Sequence, residues 1–115
     1  MFKTIPYVLT IVLSAVVLGA CSKQAPEPDP VLVKGKAIYT GTCKACHAQA
    51  INGAPIPGNQ KMWGPRAKQG LEVLVKHASE GYGLMPARGG NDALTQEDLE
   101  AAITFMLSQL DNKSG

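Results

Sequence analysis

Cys43-Lys44-Ala45-Cys46-His47 decides how this chain is read. The pattern C-x-x-C-H is the attachment sequence for a covalently bound c-type haem. On a helical turn Cys43 and Cys46 stand at i and i+3, with His47 at i+4, so all three side chains project from one face. The thiols can then meet the vinyl groups of one porphyrin edge while the imidazole ligates the iron. Other uses of these residues need more than the chain supplies. A thioredoxin-type dithiol opens a helix in a βαβ unit, and no strand-rich pattern is present. A structural zinc site wants four Cys or His ligands, and beyond the motif only His77 and Cys21 remain.

Working outward, the 115 residues leave room for one small domain at most. Residues 5–20 are uncharged and rich in Val, Leu, Ile and Ala, with Lys3 the only basic residue ahead of them. The run is shorter than the ~20 residues of a membrane-spanning helix, and Pro6 shortens its helical part further, so it reads as an export signal. Leu18-Gly19-Ala20-Cys21 resembles a bacterial lipobox, which makes residues 1–20 a lipoprotein signal peptide and Cys21 the lipidated first residue of the mature chain. The simpler alternative is an ordinary signal with an incidental cysteine. Ser22 after Cys21 points, by the sorting rules of Gram-negative lipoproteins, to the outer membrane. Residues 21–30 form a Pro-rich tether, with Pro26, Pro28 and Pro30 alternating with polar residues. At ~3.1 Å per residue its nine residues after Cys21 reach about 28 Å. The globular domain is expected over residues 31–110, with a polar tail at 111–115.

Three helical signals and no convincing strand lie within that domain, which predicts an all-α fold. The first starts at Pro30, with Asp29 as N-cap, and runs through Val31, Lys34, Ile38 and Tyr39 toward the motif. The second covers residues 71–79, with Leu71, Leu74, Val75 and Ala78 on one face and Gly81 as terminator. The third opens on Thr95-Gln96-Glu97-Asp98, a capping-box variant, after which Leu99, Ala102, Ile103, Met106 and Leu110 recur at helical spacing. Residues 52–64, rich in Gly and Pro, are expected to be irregular. One Trp, three Tyr and two Phe are too few to fill a core of this size unaided. A buried macrocycle supplies the missing apolar surface.

The iron's sixth position has four candidates: Met62, Met85, Met106 and His77. Met106 sits on the apolar face of the last helix, where core packing explains it. His77, between Lys76 and Ala78, reads as a solvated surface histidine on the side away from Leu74. Met62 precedes Trp63 in the irregular segment, and pattern alone does not decide it. Met85 follows Gly81-Tyr82-Gly83-Leu84 and precedes Pro86, a non-helical loop able to bring a thioether to the iron face opposite His47.

Taken together, CKACHA at 43–48, GAP at 53–55, Trp63, Arg66, MPARGG at 85–90 and the following LTQEDLEAAITFML resemble the class I c-type cytochromes. Within that class the chain is similar to the short monohaem cytochromes of the c-five type. The resemblance implies helices packed around one covalent haem c, thioether-bound through Cys43 and Cys46. It makes His47 and Met85 the axial ligands and gives the Pro55 carbonyl the His47 ring N–H. It sets Trp63 and Arg66 near the haem propionates, although a solvated loop charge is the simpler reading of Arg66. Gly35 and Tyr39 match the small and aromatic positions where the first helix crosses the last, with Phe105 as partner. The c-five chains often carry two further cysteines just after the Gly-Gly pair, forming a small disulfide. Here Asn91-Asp92-Ala93-Leu94 stands instead.

His and Met ligation leaves no open position for oxygen, and a thioether raises the reduction potential. The expected function is one-electron transfer between periplasmic redox proteins of a respiratory chain, with no small-molecule substrate and no nucleic acid. The alternative is a haem enzyme or gas sensor in which Met85 is displaceable, although no distal acid or base for oxygen chemistry is evident. Charge is unevenly distributed. Over residues 34–90 eight basic side chains oppose two acidic ones, and from residue 91 onward five acidic oppose one basic. A basic haem-bearing region is expected to steer the carrier toward acidic docking surfaces.

Overall fold

The computed structural model describes residues 24–112. The expected signal segment, Cys21 and the last three residues of the expected tail lie outside them. Residues 24–29 are exposed and without regular structure. Each proline there removes a donor and holds the residue before it in an extended conformation.

Helix α1, Pro30–Ile38, begins where Asp29 Oδ1 accepts the Val31 N–H at 2.8 Å. Pro30 in the first turn forfeits only an N–H that has no intrahelical partner. The helix does not stop at Ile38. A π turn, Tyr39–Cys43, carries it into α2, Lys44–His47, as the Lys44 N–H reaches back to the Tyr39 carbonyl. Cys43 keeps helical angles (φ −72°, ψ −33°), so the two cysteines and the histidine retain their common face.

The chain leaves α2 through a left-handed residue, Ala50 (φ 54°), and a short 3₁₀ turn, Ile51–Gly53, containing left-handed Asn52. Then comes a helix that sequence reading did not expect. Helix α3, Gln60–Ala67, occupies the second part of the stretch expected to be irregular and places Met62 and Trp63 in regular structure. Asn59 starts it by accepting the Met62 N–H at 3.1 Å, an N-cap that the nearby Gly64 and Pro65 obscured. Pro65 is accommodated inside this helix, which ends only two residues later. Gln60 Nε2 donates to the Leu110 carbonyl at 3.3 Å and ties α3 to the end of α5.

Helix α4, Leu71–Glu80, is flanked by left-handed Gly70 and Gly81. Helix α5, Gln96–Asp111, opens on a full capping box. Thr95 Oγ1 accepts the Asp98 N–H at 3.2 Å, and Asp98 Oδ2 accepts the Thr95 N–H at 2.9 Å. The three expected helices are thus α1, α4 and α5. Among the described residues no strand forms, only an isolated bridge between Tyr82 and Met85. The all-α class holds.

Helix α5 is the spine. Helix α1 crosses it where Gly35 meets Ala101, and the rings of Tyr39 and Phe105 pack beside the crossing at 5.5 Å and 44°. Lys34 Nζ reaches Asp98 Oδ1 at 2.8 Å and closes the same crossing from outside. Leu74, Val75 and Ala78 of α4 join Leu99, Ile103, Met106 and Leu110 of α5, with Trp63 of α3, in one core. That core stops at a cavity.

Candidate functional site

The cavity has a volume of about 470 Å³, within the range of cofactor sites. Cys43, Cys46 and His47 form part of its wall, brought there together by the helical turn of α2. Cys43 is partly buried and Cys46 exposed, and burial pushes the Cys43 thiol above its usual pKa. His47 is buried at 8% exposure. Its Nδ1 lies 2.9 Å from the Pro55 carbonyl oxygen. A carbonyl can only accept, so Nδ1 donates the proton and Nε2 keeps its lone pair for a metal.

Trp63 packs against this wall. It is 3% exposed, and its ring stacks on that of His47 at 6.4 Å and 25°. Among the described residues its buried Nε1–H has no hydrogen-bond partner. Such a donor calls for an acceptor that arrives with a bound group. Arg66 also lines the cavity, one guanidinium N–H donated to the Met62 carbonyl one turn back in α3.

Met85 lines the cavity too, half-buried, on a tight turn. The Tyr82 N–H donates to the Met85 carbonyl at 3.0 Å, and the Met85 N–H to the Tyr82 carbonyl at 2.9 Å. Of the other ligand candidates, Met62 is not on the wall. Met106 is, at 4% exposure within the core of α5. His77 departs from expectation. Three residues after Leu74 it shares that residue's helix face, lines the cavity and stacks on Tyr82 at 4.1 Å and 18°. It is therefore not a solvated surface histidine.

The loop beyond Met85 carries contacts that spacing did not reveal. Arg88 is left-handed (φ 54°), and its Nη1 donates to the carbonyls of Asp92 and Leu94 at 3.2 and 3.0 Å. Asn91 Nδ2 donates to Thr42 Oγ1 at 3.2 Å, linking this loop to the residue before Cys43. These polar ties span the stretch where the c-five chains often carry a disulfide. No sequence pattern marks them, because Arg88 acts through backbone carbonyls.

The residues fit a haem. The motif's thiols and imidazole share one wall, the buried Trp63 N–H has no acceptor among the described residues, and Leu74 and Ala78 of α4 with Leu99, Ile103 and Met106 of α5 supply much of the apolar lining.

A family model described as "Cytochrome C oxidase, cbb3-type, subunit III" matches residues 30–106. Cytochrome c-555 of Chlorobaculum tepidum is 40% identical over 79 residues, covering 65% of this chain and 73% of the relative. Cytochrome c5 of Azotobacter vinelandii is 32% identical over 74 residues, with 63% and 89% covered. Among solved structures, the cytochrome c in an electron-transfer complex with nitrite reductase is similar at a TM-score of 0.65. It is 34% identical, with 71% of this chain and 96% of that one covered. The matches run across the same helices that enclose the cavity, so the likeness covers a fold and not merely an attachment sequence. On that ground the chain belongs to the class I c-type cytochromes, small proteins that hold one covalent haem c and carry single electrons rather than catalyse reactions.

Proposed function

We propose that this chain carries electrons with Cys43 and Cys46 as the thioether attachments and His47 and Met85 as the axial ligands. When bound, the haem supplies an iron that alternates between ferrous and ferric, one electron at a time. The observation that carries the reading is the His47–Pro55 hydrogen bond, which commits Nδ1 and frees Nε2 on a cavity whose wall also includes Met85. Pro55 fixes the tautomer and the ring plane, and Trp63 holds the ring from its stacked side. The Trp63 N–H and the Arg66 guanidinium suit haem propionates as acceptors. Buried Trp63, Leu99, Ile103 and Met106 behind the cavity would keep water from that side of a bound haem. At the cavity rim Ile51, Tyr82 and Leu84 are exposed apolar residues, a surface against which a partner's redox centre can be brought close.

The place of action is the periplasmic side of a membrane, within a respiratory chain. A lipid on Cys21, following a signal at residues 1–20, and the tether of residues 21–30 would hold the domain of residues 31–110 near the bilayer, with Ser22 favouring the outer membrane. The partners are redox proteins. A nitrite reductase beside the similar cytochrome supports a reductase as one acceptor class. Lys36, Lys44, Lys61, Lys68 and Lys76 give the region its basic character, while Lys34 is already paired with Asp98. Acidic docking surfaces are the complement.

Intact mass and an optical spectrum of the purified holoprotein test the ligand set together. One covalent haem, and a low-spin ferric spectrum with the weak far-red band of thioether-ligated iron, are expected. High-spin ferric features without that band overturn it. Mass of the membrane-extracted N-terminus reports the lipid. Association rates with an acidic redox partner should fall as ionic strength rises, and salt-independent rates would end the steering proposal.

A further inference from the structure

The stack of His77 on Tyr82 ties the last turn of α4 to the turn that carries Met85, whose side chain also packs against the core. His77 belongs to the last turn of α4, a helix anchored in the core by Leu74, Val75 and Ala78. Tyr82 lies just beyond Gly81, where a left-handed backbone (φ 86°) reverses the chain. A Cβ on Gly81 would stand 3.0 Å from the Met85 carbonyl oxygen and 3.0 Å from the Ala87 nitrogen, so the turn is folded tightly back on itself. Tyr82 is bonded to Met85 through both its N–H and its carbonyl. The centre of the turn has little else to hold it. Nothing lies within 4 Å of a Cβ built on Gly83, and Leu84 is 73% exposed.

We propose that His77 is a positioning residue for Met85: its ring, stacked on Tyr82, holds the Tyr82–Met85 turn against α4 and so keeps the thioether on the cavity wall. The inference rests on the reading of Met85 as axial ligand. The line of force is continuous: core to α4, α4 to the imidazole, imidazole to the Tyr82 ring, Tyr82 backbone to Met85. A thioether is a soft ligand that favours ferrous iron. With ferric haem bound the clamp would matter most, since a thioether would hold that iron more weakly and an outside ligand could compete for its place.

Imidazole binding to the ferric holoprotein, followed by loss of the far-red band, reads how readily Met85 leaves. His77→Ala should raise the apparent affinity roughly two- to ten-fold, the size of one aromatic pair. His77→Phe keeps a ring and should restore the original affinity. Tyr82→Ala, at an exposed position, should match His77→Ala, and the double variant should exceed neither, as for two ends of one contact. Hydrogen exchange gives a readout apart from ligation. The Tyr82 and Met85 amides should exchange faster in His77→Ala while α5 amides are unchanged. Unaltered affinity in both single variants, additive effects, or failure of His77→Phe to rescue overturns the proposal. Absence of the far-red band in the unsubstituted ferric protein overturns the Met85 reading itself, whatever the variants do.

Discussion

Gly35 and Ala101 approach so closely that a Cβ on Gly35 would stand 2.0 Å from the Ala101 carbonyl oxygen and 2.7 Å from its carbon. The obstacle is helix backbone, which cannot swing aside as a side chain can. Gly35→Ala therefore forces α1 away from α5 and parts the Tyr39–Phe105 contact. A loss of about 1–3 kcal/mol is expected, as for overpacked cores, with the thermal midpoint falling several degrees. A melt of the holoprotein followed by helix signal measures it. An unchanged midpoint would mean that the crossing is looser than the distances indicate.

The capping box of α5 doubles as one end of an ion pair. Asp98 bonds Thr95 and also meets Lys34, and these hydrogen bonds, that from Lys34 foremost, hold its carboxyl down at about 2. The unfolded value is about 3.9. A folded pKa below the unfolded one adds stability above the unfolded value and loses it as pH falls toward the folded one. Acid unfolding should therefore be steeper between about pH 4 and 2 in the natural chain than in Asp98→Asn. Both side chains are solvent-accessible, so high salt should weaken the pair's share while the capping hydrogen bonds persist. Thr95→Ala removes the cap itself and should cost about 1 kcal/mol at neutral pH.

Arg88 links the loop after Met85 by charge-assisted hydrogen bonds where related chains often use a disulfide. Arg88→Ala leaves the Asp92 and Leu94 carbonyls without their donor. The loop should open locally, by about 1 kcal/mol, without unfolding the core. Amide exchange at Ala93 and Leu94 should quicken while Ile103 and Met106 stay protected. Uniform acceleration across α5 would show instead that the loop and core unfold as one.

Ala50 holds a left-handed backbone (φ 54°, ψ 35°) where the chain leaves the attachment helix. An alanine there costs about 1 kcal/mol relative to glycine, less the entropy that glycine adds to the unfolded chain. Ala50→Gly should accordingly raise stability slightly or leave it level, never lower it by more than a few tenths of a kcal/mol, in denaturant titration.

What the sequence revealed and what it hid divide along physical lines. The attachment motif and the capping box were legible because each depends on fixed spacing along a helix, whereas the Gly35–Tyr39–Phe105 crossing was legible only through the family resemblance. Helix α3 was not, because Gly64 and Pro65 argue against a helix while the Asn59 cap and the tie from Gln60 to Leu110 favour one, and the second of these is a long-range contact. His77 was misjudged at a point where spacing should have helped, since i+3 from Leu74 is the same face. Its stack on Tyr82, like the bonds of Arg88, arises only when a loop folds back onto a helix. Such contacts have no periodicity to read.

If His47 and Met85 together close both axial positions of the haem, a spectrum of the oxidised Met85→Ala holoprotein, set beside Met106→Leu, shows it. Met85→Ala should lose the far-red thioether band and bind added imidazole readily, while Met106→Leu keeps the band. A band that survives in Met85→Ala, or disappears in Met106→Leu instead, would contradict it.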